Sequence, residues 1–278
     1  MTALSALPYL GGKATGAPSG TGRWIASLLP QEREVCYVEP FAGMLGVLLQ
    51  RPRSRIEMAN DADERIVNWW RVLRWRTDEL LTAVMRTPIS RSEFESALQT
   101  VNDHDPMRSA WAVSVLLMQG ITASINAERA YWRRKFIPNQ DNPTRGLCAN
   151  DDLIARLESV AERIRYVQLE CTDATKLLRS VADRDDTVVY ADPPYASAPA
   201  HKHYGRTLDT DAFTEALLAC RGRVAVSGYG DEWNHLGFVR HEHAATSYAL
   251  GSLTADSRPT RTEVLWTNFE PLAQGTLL

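Results

Sequence analysis

Cysteine is scarce in this 278-residue chain: Cys36, Cys148, Cys171 and Cys220 stand far apart, with no CxxC pair. Thiols this sparse exclude a disulfide framework and a cysteine-built zinc site, and they suit a reducing cytoplasm. No run approaches the ~18 consecutive apolar residues of a membrane span. Residues 1–10 lack the basic stretch and apolar run of a secretory signal. Positive charge is not in surplus either, since 31 Lys and Arg face 34 Asp and Glu for a net −3. Coating nucleic acid by bulk charge is therefore excluded, while binding through a local patch is not. Lysine is nearly missing: there are 4, leaving 27 arginines among the 31 basic residues. A G+C-rich genome explains that bias, which also permits a nucleic-acid role because arginine is the better fork for phosphates and base edges. No GxGxxG stands after a strand-like run, which disfavours a dinucleotide cofactor.

What is present is ordinary in amount, with 44% hydrophobic and 23% charged residues. A chain of this length buries one large core, or a core with an inserted subdomain. Residues 35–39 form a short apolar run that enters a glycine-containing turn at 41–46, with a helical pattern at 47–50. A second strand-like run at 55–59 ends in Asn60 and Asp61. Strand, glycine turn, helix and a second strand with an acid at its end make the first half of a doubly wound α/β sheet. From residue 63 to about 120 the apolar spacing is helical, with Ile66, Val67, Trp70 and Leu73 on one face. Ser90 and Glu93 have the spacing of a capping box, and Asp105-Pro106 suits a helix start. Residues 121–150 show little periodicity, and a helix is expected at 151–164. Strand-like runs resume at 166–169, 187–191, 223–227, 238–241 and 264–267.

The strongest local signal is the strand-like run 187–191 followed by Asp192, Pro193, Pro194 and Tyr195. An Asp-Pro-Pro-Tyr run arises by chance in roughly one chain of this length in a thousand. The prolines fix the backbone and remove two donors, which leaves a carboxylate, a bare carbonyl and a ring at the end of a strand. That set suits an amino group attached to a flat ring. As a crevice-edge group, Asp192 is expected to be replaceable without cost to the fold. Three further signals are the turn after Val38, the acid Asp61 and the glycine pair before Lys13. Singly, each has a plain reading: a strand-to-helix turn, a solvated strand-end acid, a surface lysine.

Taken in order, YLGGK (9–13), VEPFAG (38–43), NDAD (60–63), CTDA (171–174) and YADPPY (190–195) resemble the Dam-type DNA adenine-N6 methyltransferases, with a looser tail match at RTEVLWTN (261–268). The resemblance implies a doubly wound, mostly parallel α/β sheet that binds S-adenosylmethionine. It implies a catalytic domain of residues 1–62 and 151–278, with a mainly helical target-recognition insertion at 63–150. It implies cofactor contacts from Tyr9, Lys13, Glu39, Pro40, Phe41, Gly43, Asp61, Asp173 and Asp192. It implies catalysis by Asp192, Pro193, Pro194 and Tyr195 on a flipped-out adenine, with S-adenosylhomocysteine as product. Asp173 reads equally as a helix N-cap. One departure is Leu45, which stands where the family has a small residue and must point away from the ligand.

The expected partner is double-stranded DNA, with no membrane, no obligate protein partner and no metal, in the cytoplasm of a bacterial or phage-infected cell. Two HxH pairs, at 201/203 and 241/243, have no acid or cysteine motif beside them that would complete a metal site. No cysteine follows a proline, which rules out a cytosine-C5 enzyme. An N4-cytosine methyltransferase and a catalytically silent DNA-binding protein that responds to S-adenosylmethionine remain the alternatives. The DNA surface is expected at Arg129, Arg133, Arg134 and Lys135, where Tyr131, Trp132 and Phe136 interleave with the charges and Asp141 is the nearby acid.

Replacing Arg133, Arg134 and Lys135 together by alanine should weaken DNA binding on all sequences. It should also flatten the slope of log K against log salt by up to about three, roughly one per lost phosphate contact. Binding titrations at several salt concentrations check this; an unchanged slope and affinity would make the loop a solvated surface.

Overall fold

Two apolar runs without alternation, β1 (Cys36–Glu39) and β4 (Thr187–Ala191), are buried along their whole length, as strands covered on both faces must be. The computed structural model describes residues 4–9, 11–13, 20–121, 123–128, 130–132, 150–194, 208–246 and 260–271. In it β1 and β4 pair in parallel at the middle of a seven-stranded sheet of order β3-β2-β1-β4-β5-β7-β6. The other strands are β2 (Ile56–Asn60), β3 (Gln168–Glu170), β5 (Arg223–Gly228), β6 (Val239–Thr246) and β7 (Thr260–Thr267). All pairings from β3 to β5 are parallel, whereas β7 enters antiparallel between β5 and β6. The expected doubly wound, mostly parallel sheet is thus present. Its order reverses between β1 and β4, and the crevice beyond their carboxyl ends is where such sheets receive ligands.

The chain forms two compact units, Lys13–Asp63 with Val167–Leu278 and Met1–Gly12 with Glu64–Tyr166. In the sheet unit, strand alternation gives the two faces different chemistry. Cys36, Val38, Val189, Ala191, Val224, Val226, Val264 and Trp266 turn to one face, against Leu177, Leu178 and Val181 of α7 (Ala174–Val181) and Phe213, Ala216 and Leu217 of α8 (Thr210–Ala219). The opposite alternation carries Tyr37, Glu39, Tyr190, Ser227 and Glu263. Helix α1 (Thr21–Leu28) packs near β6 in the same unit.

The expected helix at 47–50 is a single 3₁₀ turn, Leu48–Gln50. Gly43 and Leu45 have φ of 46° and 53°, which breaks the repeating backbone ahead of it. Pro52 then disfavours helical geometry at Arg51, which is extended. Strand boundaries also move: β3 begins two residues later than expected, and β6 and β7 run to eight residues each.

The helical unit consists of α2 (Glu64–Trp75), α3 (Thr77–Arg86), α4 (Arg91–Thr100), α5 (Pro106–Gln119) and α6 (Asp151–Arg163). α5 is apolar around nearly its whole circumference, with 11 of its 14 residues buried, and α2, α3 and α4 pack around it. It begins as expected, with Pro106 in the first turn and the Met107 N–H donating to Asp105. Ser90 caps α4 by accepting from Ser92 N, one residue earlier than a capping box requires. The stripe expected on α2 is buried, joined by Trp69, whose indole N–H donates to Ser114 Oγ at 2.9 Å. Among the described residues no helix is long and apolar enough to cross a membrane.

Leu45 is 0% exposed, so its side chain does point away from solvent into the core, and it does so in the left-handed conformation. That backbone costs a non-glycine residue roughly 1–2 kcal/mol, against about 2–5 kcal/mol for losing a buried leucine side chain. Both Leu45→Ala and Leu45→Gly should therefore destabilise the protein. The order should be unusual: glycine relieves the strain that alanine keeps, so it should cost about 1 kcal/mol less. Urea unfolding of the two variants measures the difference; a glycine variant less stable than the alanine variant would contradict it.

Candidate active site

Residues at the carboxyl ends of β1, β2 and β3 are tied together by Asn60, the last residue of β2. Its Nδ2 donates to Pro40 O at 2.9 Å and to Thr172 O at 3.0 Å, and its Oδ1 accepts from Thr172 N at 2.8 Å. Its backbone carbonyl accepts from Ala42 N at 2.7 Å. The next residue, Asp61, is buried and holds the glycine turn. Gly43 N donates to Oδ2 and Asp63 N to Oδ1, both at 2.9 Å. Gly43 adopts a positive φ there, which glycine takes without strain.

Glu39, at the end of β1, is buried and turned inward. The Tyr37 hydroxyl and the Leu48 N–H both donate to its Oε1 at 2.7 Å. Burial pushes its carboxyl up to about 8 in spite of those two donors. Phe41 is half-buried and packs edge-on against Phe213, with centroids 5.4 Å apart. Asp173 is exposed and caps α7, its carboxylate accepting from Lys176 N at 3.1 Å. Tyr9 lies in the helical unit, where its carbonyl accepts from Gly12 N at 2.9 Å.

A buried charge cluster in the sheet unit surrounds Lys13. Its ammonium is buried, 2.9 Å from Asp192 Oδ1 and 3.1 Å from Glu263 Oε1. Burial alone would lower its pKa, yet Asp192, Glu263 and the Tyr229 phenol hold it above the ordinary lysine range. Close backbone approach fixes its position. Gly22 N donates to Lys13 O at 2.7 Å, and a Cβ at Gly22 would stand 2.4 Å from Gly46 O and 2.7 Å from Lys13 O. Tyr190 lies on the same sheet face, its hydroxyl 2.8 Å from Ser227 Oγ. Burial and the charges of Asp192 and Glu263 raise its pKa well above the usual phenol value. Asp192, 18% exposed at the edge, thus pairs with the buried Lys13, and its loss leaves Lys13 with one carboxylate fewer.

Of the residues singled out from sequence, Lys13 and Asp192 meet directly, Gly43 and Asp61 meet directly, and Pro40 is joined to them through Asn60. Pro193 is buried and Pro194 half-buried. Tyr195, Arg129, Arg133, Arg134, Lys135 and the histidines at 201 and 203 lie outside the described residues. His241 Nε2 is 3.0 Å from Thr267 Oγ1, and His243 stacks on Trp24 at 4.8 Å. Sequence reasoning missed Asn60 as a clip and Glu263 altogether. Both lie inside quoted motifs, and nothing in their spacing shows what they touch.

Comparison with known proteins adds an independent line. The family model of D12 class N6 adenine-specific DNA methyltransferase matches residues 9–238. The DNA adenine methylase of Escherichia coli (strain K12) is 24% identical over 204 residues, 68% of this chain and 66% of that protein. The protein of the same name from Escherichia coli O157:H7 gives the same values. The match therefore spans just under two thirds of those relatives. Among solved structures, a SAM-dependent methyltransferase from Agrobacterium tumefaciens aligns over 97% of this chain and 71% of that one, at 10% identity and a TM-score of 0.41. The rRNA methyltransferase aviRa from Streptomyces viridochromogenes aligns over 92% and 89%, at 17% identity and a TM-score of 0.33.

The raised carboxyl of Glu39 makes a signed prediction. Its folded-state value, about 8, lies above the ~4.3 of an unfolded glutamate. The folded chain therefore binds the extra proton between those values. Stability from this group is full below ~4.3 and lost as pH rises through about 8. Glu39→Gln keeps an acceptor for Tyr37 and Leu48 and should flatten the decline over that window, by up to a few kcal/mol. Urea midpoints taken from pH 5 to 9 test this; equal slopes in both proteins would refute it.

Proposed function

This chain belongs to the D12 class N6 adenine-specific DNA methyltransferase family, and on that premise we propose that it transfers a methyl group from S-adenosylmethionine to the exocyclic N6 of adenine in double-stranded DNA. The observation that carries the reading is Asp192 at the end of β4, followed by two prolines and anchored by the buried Lys13. The residues present fit the cofactor. Its hydroxyls, ammonium and cationic sulfur call for acceptors and negative charge, and Asp61 and Asp192 stand at the strand ends, Asp61 holding the glycine turn. Asp61 and the turn at 40–43 would hold it, with Lys13, Tyr9 and Asp173 as further contacts implied by family resemblance. When bound, the cofactor supplies an electrophilic methyl group on sulfur.

The exocyclic nitrogen of adenine is a weak nucleophile because its lone pair is delocalised into the ring. Asp192 accepts one of its N–H bonds and the Pro193 carbonyl, freed of competition by Pro194, accepts the other. This draws the nitrogen toward a tetrahedral geometry with an available lone pair. With the cofactor bound, Asp192 and the Pro193 carbonyl would hold N6 in line with the methyl group it supplies, and N6 would shed its proton to water. Orientation is the site's main contribution. A base inside a duplex must flip out to be reached, and Tyr195 provides the stacking face. The insertion at 63–150, through Arg129, Arg133, Arg134 and Lys135, holds the duplex. A cytoplasmic setting follows from such a substrate.

Incubation of DNA with methyl-labelled S-adenosylmethionine, followed by nucleoside analysis, tests the reading. N6-methyladenine supports it; N4-methylcytosine or no product would overturn it. Asp192→Asn should lower the rate about 100-fold or more, and retention of a tenth of the activity would remove Asp192 from the mechanism. Asp61→Ala should raise KM for the cofactor more than it lowers kcat, since its contacts are equal in ground and transition states.

A further inference from the structure

Glu263 has no place in the mechanism above, yet it is buried beside the carboxylate on which that mechanism depends. It reaches Lys13 Nζ at 3.1 Å from β7, and Asp192 reaches the same nitrogen at 2.9 Å from the end of β4. A buried carboxylate costs several kcal/mol unless it is paired, so its presence here has a physical consequence. We propose that Glu263 is a positioning residue for methyl transfer: it takes up part of the Lys13 charge, so that Asp192 is held in place without losing its strength as an acceptor. This rests on the functional reading given above.

The charges make the argument. Lys13 and Asp192 alone would form a neutral pair, with the lone pairs of Asp192 drawn toward the ammonium and away from an incoming amine. With Glu263 added, one positive charge is shared between two carboxylates and the cluster carries a net −1. In a water-poor site such differences are large. Other described groups also face the cluster. Tyr229 faces Lys13, and Tyr190 faces both carboxylates. Glu39, whose carboxyl is pushed up to about 8 by burial, faces Asp192 from β1. A net negative cluster favours the positive charge that develops on N6 during transfer.

The test is a double-mutant cycle in the full chain, with S-adenosylmethionine and duplex DNA both saturating. Glu263→Gln should lower the single-turnover rate about tenfold or more, the scale of losing an outer group that orients a site residue. Glu263→Asp should recover part of the loss. The acid limb of the pH–rate profile should move to lower pH in Glu263→Gln, because removing a negative neighbour makes the cluster harder to protonate. In a Lys13→Met background the same substitution should no longer lower the rate, because the charge that Glu263 offsets is gone. Additive rate losses, or an unmoved acid limb, would overturn the proposal and make Glu263 merely structural. Urea unfolding of the same four proteins separates this from the functional reading. Lys13→Met takes the shared cation from the buried Glu263 and the partly exposed Asp192, so adding Glu263→Gln should recover stability. If that coupling holds while the wild-type chain forms no N6-methyladenine, the functional reading fails and the charge sharing stands. If stability losses simply add, the charge sharing fails whatever the activity.

Discussion

A buried ammonium group needs anions within reach, and that requirement organises the carboxyl edge of this sheet. Lys13 lies before the first helix, Asp192 just past β4 and Glu263 on β7. Their convergence joins three regions of the sequence that no local interaction would bring together. The backbone serves the same end: the bare Cα of Gly22 lets helix α1 start against the Lys13 carbonyl. Because the cation is satisfied internally by two carboxylates, one of them can stand at the site's edge, 18% exposed, while the other stays inside.

One sheet does two jobs because a strand has two faces. The side built from Val38, Val189, Val224 and Trp266 is apolar and closed by α7 and α8. The alternate side adds the polar groups of Tyr37, Glu39, Tyr190, Ser227 and Glu263 to the apolar Val188, Ala225 and Leu265, all of them buried. Those groups sit close under the strand ends, where their mutual hydrogen bonds and charges replace the solvent they have lost. This side is therefore as much core as the other. It is held by pairing in addition to burial of apolar surface.

Much of this was legible in the residues. The unbroken apolar runs at β1 and β4, the helical spacing from residue 63 onward and the Asp105-Pro106 start all carry strong local signals, and the structure has elements there. Lys13, Asp61 and Asp192 could be singled out because motif order narrows the choice. What could not be read is non-local. Nothing in the pattern of β7 says that it runs backwards between β5 and β6, yet only that reversal brings Glu263, near its beginning, to the end of β4. The inward turn of Glu39 depends on Tyr37 and Leu48 meeting at one oxygen. A strand's alternation does not reveal which neighbour a side chain will find. The 3₁₀ turn after β1 likewise reflects a left-handed leucine that propensity disfavours and burial enforces.

The Asn60 clip has a mechanical side. One amide side chain is bonded at once to the turn after β1 and to the approach to α7, while its own carbonyl holds Ala42. Pro40 and Thr172 are 132 positions apart in sequence, yet they share a single rigid strut whose length a planar amide fixes. A force that displaces one is passed to the other through the three hydrogen bonds of that amide, so the rim formed by these strand ends is mechanically coupled.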